Sequence, residues 1–204
     1  GPAGPLTYLV THSEVTAAGV DINAAALTSA QKRVTAMGLS DRIALHDVSG
    51  NAELPFANEG FSHVISIDVV MHLPDRQDSL AKLWRVLKPG GRLLFTDACI
   101  VNGVLSDEDI RIRSHYGLSH FVPEGFNESA LASAGFTLEK KEKHSDGLIA
   151  ICSGRWQARE RYKKELVGEV GEAAFEHEQA YLKKLVEIYS EQKLLRYAYL
   201  ANKC

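Results

Sequence analysis

Four aspartates stand where chemistry could be done: Asp21, Asp47, Asp68 and Asp97 each follow a short apolar run in this 204-residue chain. Parallel α/β sheets bind their ligands beyond the carboxyl ends of the strands, so an acid at such an end is presented to a ligand rather than to the core. Asp21 follows the opening Gly1-Pro2-Ala3-Gly4-Pro5 by about 20 residues, the spacing at which a carboxylate accepts from both hydroxyls of an adenosine ribose. Asp47 could accept from an adenine amino group, and glycines let main chain come close to a ligand. A base that takes one proton from an amine or phenol near neutral pH is most commonly histidine. His72, His115 and His120 are the candidates, with Tyr116 beside them. No pair of histidines has the helical spacing of ligands with a third acid suitably placed, so no metal is expected.

The elements that must position these groups alternate. Residues 17–22 read as a buried strand and 24–37 as an alanine-rich helix stopped by Gly38. Strands follow at 42–46 and 60–67, then an amphipathic helix over 75–87 that ends at Lys88-Pro89-Gly90-Gly91. Residues 92–97 are an apolar run closed by Asp97, as expected of a strand covered on both faces. Beyond it, 98–126 reads as a long connection with a helix at 106–115, expected to cover an acceptor site. A helix at 126–134 and a strand at 136–143 come next. Residues 155–194 form a helical insertion, expected as two helices broken near 168–171, before a closing antiparallel strand at 195–200. The pattern is an α/β fold with a mostly parallel sheet in a single domain, 1–204.

Composition excludes some classes. With 23 Lys and Arg against 26 Asp and Glu, the net charge is -3, which offers no basic field for a nucleic acid. No apolar run approaches the ~20 residues that span a bilayer. Cys99, Cys152 and Cys204 are scattered, which points to a reducing, cytoplasmic setting. The apolar stripe of the helical insertion could bury a second copy of the chain, making a homodimer.

Several of these residues also have plain structural roles open to them. Asn23 can cap the helix from 24, Asp68 can cap a short turn through Met71, and a loop histidine can simply pack.

The succession Gly1-Pro2-Ala3-Gly4-Pro5, Gly19-Val20-Asp21-Ile22-Asn23, His46-Asp47-Val48, Leu54-Pro55-Phe56 and Leu87-Lys88-Pro89-Gly90-Gly91-Arg92-Leu93 resembles the class I S-adenosylmethionine-dependent methyltransferases. The segments Ile67-Asp68, Met71-His72-Leu73-Pro74-Asp75-Arg76 and Thr96-Asp97-Ala98-Cys99 resemble the small-molecule enzymes of that class, such as the phosphoethanolamine, sarcosine and ubiquinone types. The resemblance implies a doubly wound, seven-stranded sheet of order 3-2-1-4-5-7-6 with the last strand antiparallel. It implies S-adenosylmethionine as cofactor, with Gly1 and Gly4 around its methionine portion, Asp21 on the ribose, Ile22 on the adenine, and Asp47 and Val48 at the adenine amine and ring. Asn23, Ile67 and Asp68 complete the expected cofactor set, and His72, His120 and Tyr116 the catalytic one. The strand that precedes the glycine loop in this family, with its terminal acid, is absent from the numbering and is expected upstream. Two alternatives share the glycine loop and strand-end acid: an NAD(P)-dependent oxidoreductase, and a methyltransferase-like binding module without catalysis.

Overall fold

Glycine at position 19 is where the N-terminal part of the chain closes on itself, because a Cβ there would lie 3.0 Å from side-chain carbons of both Leu6 and Leu45. In the computed structural model, which describes residues 1–48, 53–115 and 117–204, the chain divides into two compact units, Gly1–Phe56 and Ala57–Cys204. The first holds α1 (Gly4–Thr11), β1 (Ala17–Asp21), α2 (Ala24–Ala36) and β2 (Ile43–Asp47). The two strands pair in parallel, and Val10, Val34, Leu39 and Ile43 form the core between them and the helices. Arg42 fixes the approach to β1 by donating to the carbonyls of Ser13 and Val15.

The second unit begins with β3 (Phe61–Ile67), a 3-10 turn at Val70–His72, α3 (Arg76–Val86) and β4 (Leu87–Val101). It continues with α4 (Asp107–Arg113), β5 (Val122–Pro123), α5 (Phe126–Ser133), β6 (Phe136–Lys143), α6 (Ser145–Arg161), α7 (Lys163–Val170), α8 (Glu172–Ser190) and β7 (Leu194–Lys203). The sheet runs β3-β4-β7-β6, with β5 paired beside β4. β3 and β5 are parallel to β4, while β7 is antiparallel to both β4 and β6. Lys203 at the end of β7 donates to the carbonyls of Trp84 and Leu87, where α3 ends and a cation is favoured.

The α/β class and the antiparallel closing strand stand as expected from sequence. The strands nevertheless fall into two sheets, β1-β2 and β3-β4-β7-β6, each of which follows one stretch of the expected order; a continuous seven-stranded sheet is not described. Three boundaries also differ. The Lys88 to Gly91 segment belongs to β4, not to a turn before it: the ladder passes from Phe61 paired with Leu87 to His63 paired with Arg92, so four residues bulge out opposite Ser62. Gly91 is required in that bulge, since a Cβ would come 2.7 Å from the carbonyl oxygen of Lys88. At its other end β4 continues four residues past Asp97 to Val101, which shortens the connection read from sequence. The helical segment starts at Ser145, before the expected 155, and contains three helices because the chain also breaks at Tyr162. Its apolar stripe, Phe175, Tyr181, Leu182, Leu185, Ile188 and Tyr189, is buried in this chain's own interior.

The connection after β4 is tied down at α4. Ser106 caps that helix in a reciprocal box with Asp109, and Asp109, 1% exposed, also meets Lys184 on α8 and Lys193. The backbone N–H of Ser106, outweighing the opposing effect of burial, lowers the Asp109 carboxyl to about 2, helped by the Ser106 hydroxyl and Lys184. A depressed acid stabilises the fold above its unfolded value of about 3.9 and ceases to do so as pH falls through the folded value. Thermal unfolding followed from pH 5 to pH 2 should therefore show stability falling below about pH 4, and Asp109→Asn should flatten that fall; an unchanged acid profile would remove Asp109 as its source.

Candidate active site

The end of β1 and the end of β2 lie side by side. Asp21 pairs in register with Asp47, so the two carboxylates leave the same edge of the first sheet on adjacent strands. Asp21 Oδ1 accepts from the Asn23 N–H at 2.9 Å, and the main-chain nitrogen of Gly1 lies against Oδ2. Val48 is drawn to the same place by its N–H, which donates to the Asp21 carbonyl at 2.9 Å. Among the described residues the exposed Asp47 carboxylate accepts no hydrogen bond. Ile22 follows the strand end and is 67% exposed, a large apolar side chain offered to whatever occupies this edge. A Cβ at Gly1 or Gly4 would meet nothing within 4 Å, so internal packing does not demand glycine at either position. Asn23 is the member of the expected set that the fold employs elsewhere: its side-chain oxygen accepts from the Ala26 N–H at 3.0 Å and caps α2.

In the second unit, β3 ends at Ile67, which is exposed, and Asp68 takes a left-handed backbone at φ 52°. The Asp68 carboxylate is engaged within the protein. Arg196 on β7 donates to its two oxygens at 3.0 and 3.2 Å, and the Thr96 hydroxyl donates at 2.8 Å. Thr96 also accepts from the Asp68 N–H, so β3, β4 and β7 are stitched where β3 leaves the sheet.

The fourth strand-end acid is not at a strand end. Asp97 lies within β4 and is wholly buried. The ladder between β4 and β7 shifts between Asp97 and Ile100, which leaves main-chain groups of Ala98 and Cys99 without ladder partners. Asp97 Oδ1 accepts the Cys99 N–H at 2.8 Å, and the buried Tyr189 hydroxyl donates to the Ala98 carbonyl. Asp97 Oδ2 accepts from Arg76 Nη1 at 2.5 Å and from Asn127 Nδ2 at 2.9 Å. An acid expected to face a ligand instead pairs with an arginine inside the protein. Sequence reasoning missed Arg76, Asn127, Tyr189 and Arg196. Arg76 carried one usable signal: a cation in the first turn of α3, where the helix dipole disfavours it, needs a local acid.

The three histidines are placed differently. His72 is half-buried, and its Nδ1 lies 3.0 Å from the carbonyl oxygen of Leu118. A carbonyl only accepts, so in the neutral ring Nδ1 carries the proton and Nε2 the lone pair. Among the described residues His120 Nε2 is buried without a hydrogen-bond partner, and the residue lines a cleft of about 530 Å³ with Leu73, Arg76, Phe121 and Phe126. His72 and Asp68 do not line that cleft. His115 packs its ring against His177, with centroids 4.2 Å apart, and against Tyr181 on α8. Tyr116 lies outside the described residues. The Cys99 thiol is pushed up to about 11, chiefly by burial, which leaves it protonated at neutral pH and no nucleophile. No described group of three His, Cys, Asp or Glu side chains could hold a metal, and no described helix is long and apolar enough to cross a membrane.

The fold is that of the class I methyltransferases, and residues 1–95 match the family model described as a methyltransferase domain. Over its full length the chain superposes on phosphoethanolamine N-methyltransferase 2 of Haemonchus contortus, solved with S-adenosyl-L-methionine, with a TM-score of 0.89 at 20% identity over 46% of that chain. It superposes equally completely on the cyclopropane synthase MmaA2 of Mycobacterium tuberculosis, with a TM-score of 0.88 at 16% identity over 75% of that chain. In sequence it is 34% identical over 107 residues to the methyltransferase GfsG of Streptomyces halstedii, 52% of this chain and 38% of that protein. It is 29% identical over 161 residues to the sterol 24-C-methyltransferase erg6 of Aspergillus fumigatus, 74% of this chain and 41% of that protein. The chain spans less than half the length of the curated relatives it matches.

Removing the Asp97 carboxylate would leave the Arg76 guanidinium buried without a countercharge and the Cys99 N–H without its acceptor. Asp97→Ala should cost about 3–5 kcal/mol in urea unfolding. A loss below about 1 kcal/mol would show that the cluster tolerates an unpaired charge.

Proposed function

We propose that this chain transfers a methyl group from S-adenosylmethionine to a small-molecule acceptor through a nitrogen or oxygen nucleophile. The observation that carries this reading is the in-register pair Asp21 and Asp47 at the carboxyl ends of β1 and β2, within the segment that matches the methyltransferase domain. Two adjacent acceptor carboxylates suit a nucleoside, which offers donors as ribose hydroxyls and an exocyclic amine. The exposed Ile22 and the half-buried Val48 supply apolar surface for its ring, and Gly4, where a Cβ would meet nothing within 4 Å, leaves room for the rest. Ile67, exposed where β3 ends in the second unit, stays a candidate on sequence alone. When bound, the sulfonium supplies a methyl group already activated for displacement, so the protein has to align the acceptor, exclude water and take one proton.

His72 is the base we assign to that last task. Its Nδ1–H is held by the Leu118 carbonyl, and its Nε2 lone pair is the one able to take a proton. His120 sits with Leu73, Phe121 and Phe126 and contributes the wall of a cleft, while Tyr116 stays a candidate on sequence alone. The methyltransferase-domain match, together with Asp47 beside Asp21, favours this reading over a nicotinamide oxidoreductase. The net charge of -3 suits an acceptor other than a nucleic acid, and three unpaired cysteines suit a reducing compartment such as the cytoplasm.

Calorimetric titration should show S-adenosylhomocysteine binding and no NADH binding; the reverse would overturn the reading. Asp21→Ala should weaken cofactor affinity by roughly 2–4 kcal/mol, since it removes charge-assisted hydrogen bonds. An unchanged affinity would take Asp21 out of the site. His72→Ala should lower turnover of a methylated acceptor at least tenfold while cofactor affinity holds, and full activity in that variant would dismiss it as base.

A further inference from the structure

The ion pair of Asp97 and Arg76 extends beyond the two elements it joins. Both Asp97 oxygens are committed, Oδ1 to the Cys99 N–H and Oδ2 to Arg76 Nη1 and Asn127 Nδ2. Arg76, 5% exposed, is held a second time because Nη1 also donates to Asn127 Oδ1 at 2.9 Å. A guanidinium fixed at one terminal nitrogen has its other in a set direction, and Nη2 donates at 2.7 Å to the main-chain carbonyl of His120. The same residue's N–H donates to the Met71 carbonyl at 2.8 Å. Two residues earlier, the Leu118 carbonyl accepts from His72 Nδ1. Residues 118–120 are thus clamped between a buried side chain and the turn Val70–His72 that carries the histidine.

We infer that Arg76, held by Asp97 and Asn127, is a positioning residue for His72: by fixing residues 118–120 it keeps the Leu118 carbonyl on Nδ1 and so holds the imidazole in the tautomer whose Nε2 is free to take a proton. This rests on His72 being the base of the proposed methyl transfer. The two tautomers of a neutral imidazole interconvert freely in water, and a single fixed acceptor at one nitrogen selects between them. A fork serves carboxylate and carbonyl from two nitrogens in separate, fixed directions, whereas a lysine has one nitrogen for both.

Arg76→Lys in the full chain tests this, because it keeps the buried charge paired and removes the Nη2 donor to His120. The probe is the pair of His72 ring nitrogens in long-range 1H–15N spectra at a pH where the ring is neutral, assigned with His72→Asn and with the other seven histidines as internal references. The expected result is Nδ1–H in the unsubstituted protein and a mixture of tautomers in Arg76→Lys, with turnover lowered roughly tenfold to a hundredfold and S-adenosylhomocysteine affinity unchanged. A folded Arg76→Lys that keeps His72 as Nδ1–H overturns the proposal. So does an unsubstituted protein whose His72 carries its proton on Nε2, a measurement that stands even where the variant fails to fold. A tautomer that responds to Arg76→Lys alongside a fully active His72→Ala leaves the positioning intact and dismisses His72 as base.

Discussion

A carboxylate with no access to water must have its lone pairs answered from inside the protein, and in the second unit the answers to Asp97 come from three elements at once. The bulge in β4 supplies an N–H, α3 supplies a guanidinium and α5 supplies a side-chain amide. Burying the pair is costly in itself, so this cluster is poor evidence of extra stability; what it supplies is a unique arrangement, because every alternative leaves a charge unpaired in the interior. The helix starts at Arg76 and Phe126 and the segment through His120 are each located by the same few atoms. Through residues 118–120 the His72 imidazole is tied to the same cluster.

The bulges explain why β4 can be both core and scaffold. A straight ladder would carry Leu87 to Val101 past its neighbours with every second side chain on one face. Two irregularities break it, at Lys88 to Gly91 against β3 and at Ala98 to Cys99 against β7. The first is enabled by a glycine that tolerates the close Lys88 carbonyl. The second is sealed by Asp97 and Tyr189, which satisfy the main-chain groups it frees. Tyr189 brings α8 into the arrangement, and Asp109 with Lys184 brings in α4, so the elements after β4 are fastened to the same strand that carries Asp97.

General and particular roles divide along the chain. The methyltransferase-domain match ends at Phe95, and the acids suited to a nucleoside lie within it. The later elements, from the end of β4 to α8, supply the Leu118 carbonyl that orients His72 and the cleft walled by Phe121 and Phe126. A cofactor common to many reactions asks for a fixed set of contacts, whereas the acceptor varies with the connections laid over the sheet.

Local pattern alone determined much of this protein. The strands that end at Asp21 and Asp47 and just before Asp68, the helix stopped at Gly38, and the Asn23 cap are short-range effects of periodicity, propensity and turn chemistry, and each is where the residues placed it. The pairing of Asp21 with Asp47 is set by the register of β1 on β2, which neither segment carries alone. Tertiary structure decided what each acid is for. Asp68 and Asp97 look like Asp21 in sequence, yet Arg196, 128 residues from Asp68, and Arg76, 21 residues before Asp97, turn both inward. No window along the chain contains those partners, because a buried charge is answered by whatever the fold brings within hydrogen-bond distance, not by its neighbours in sequence.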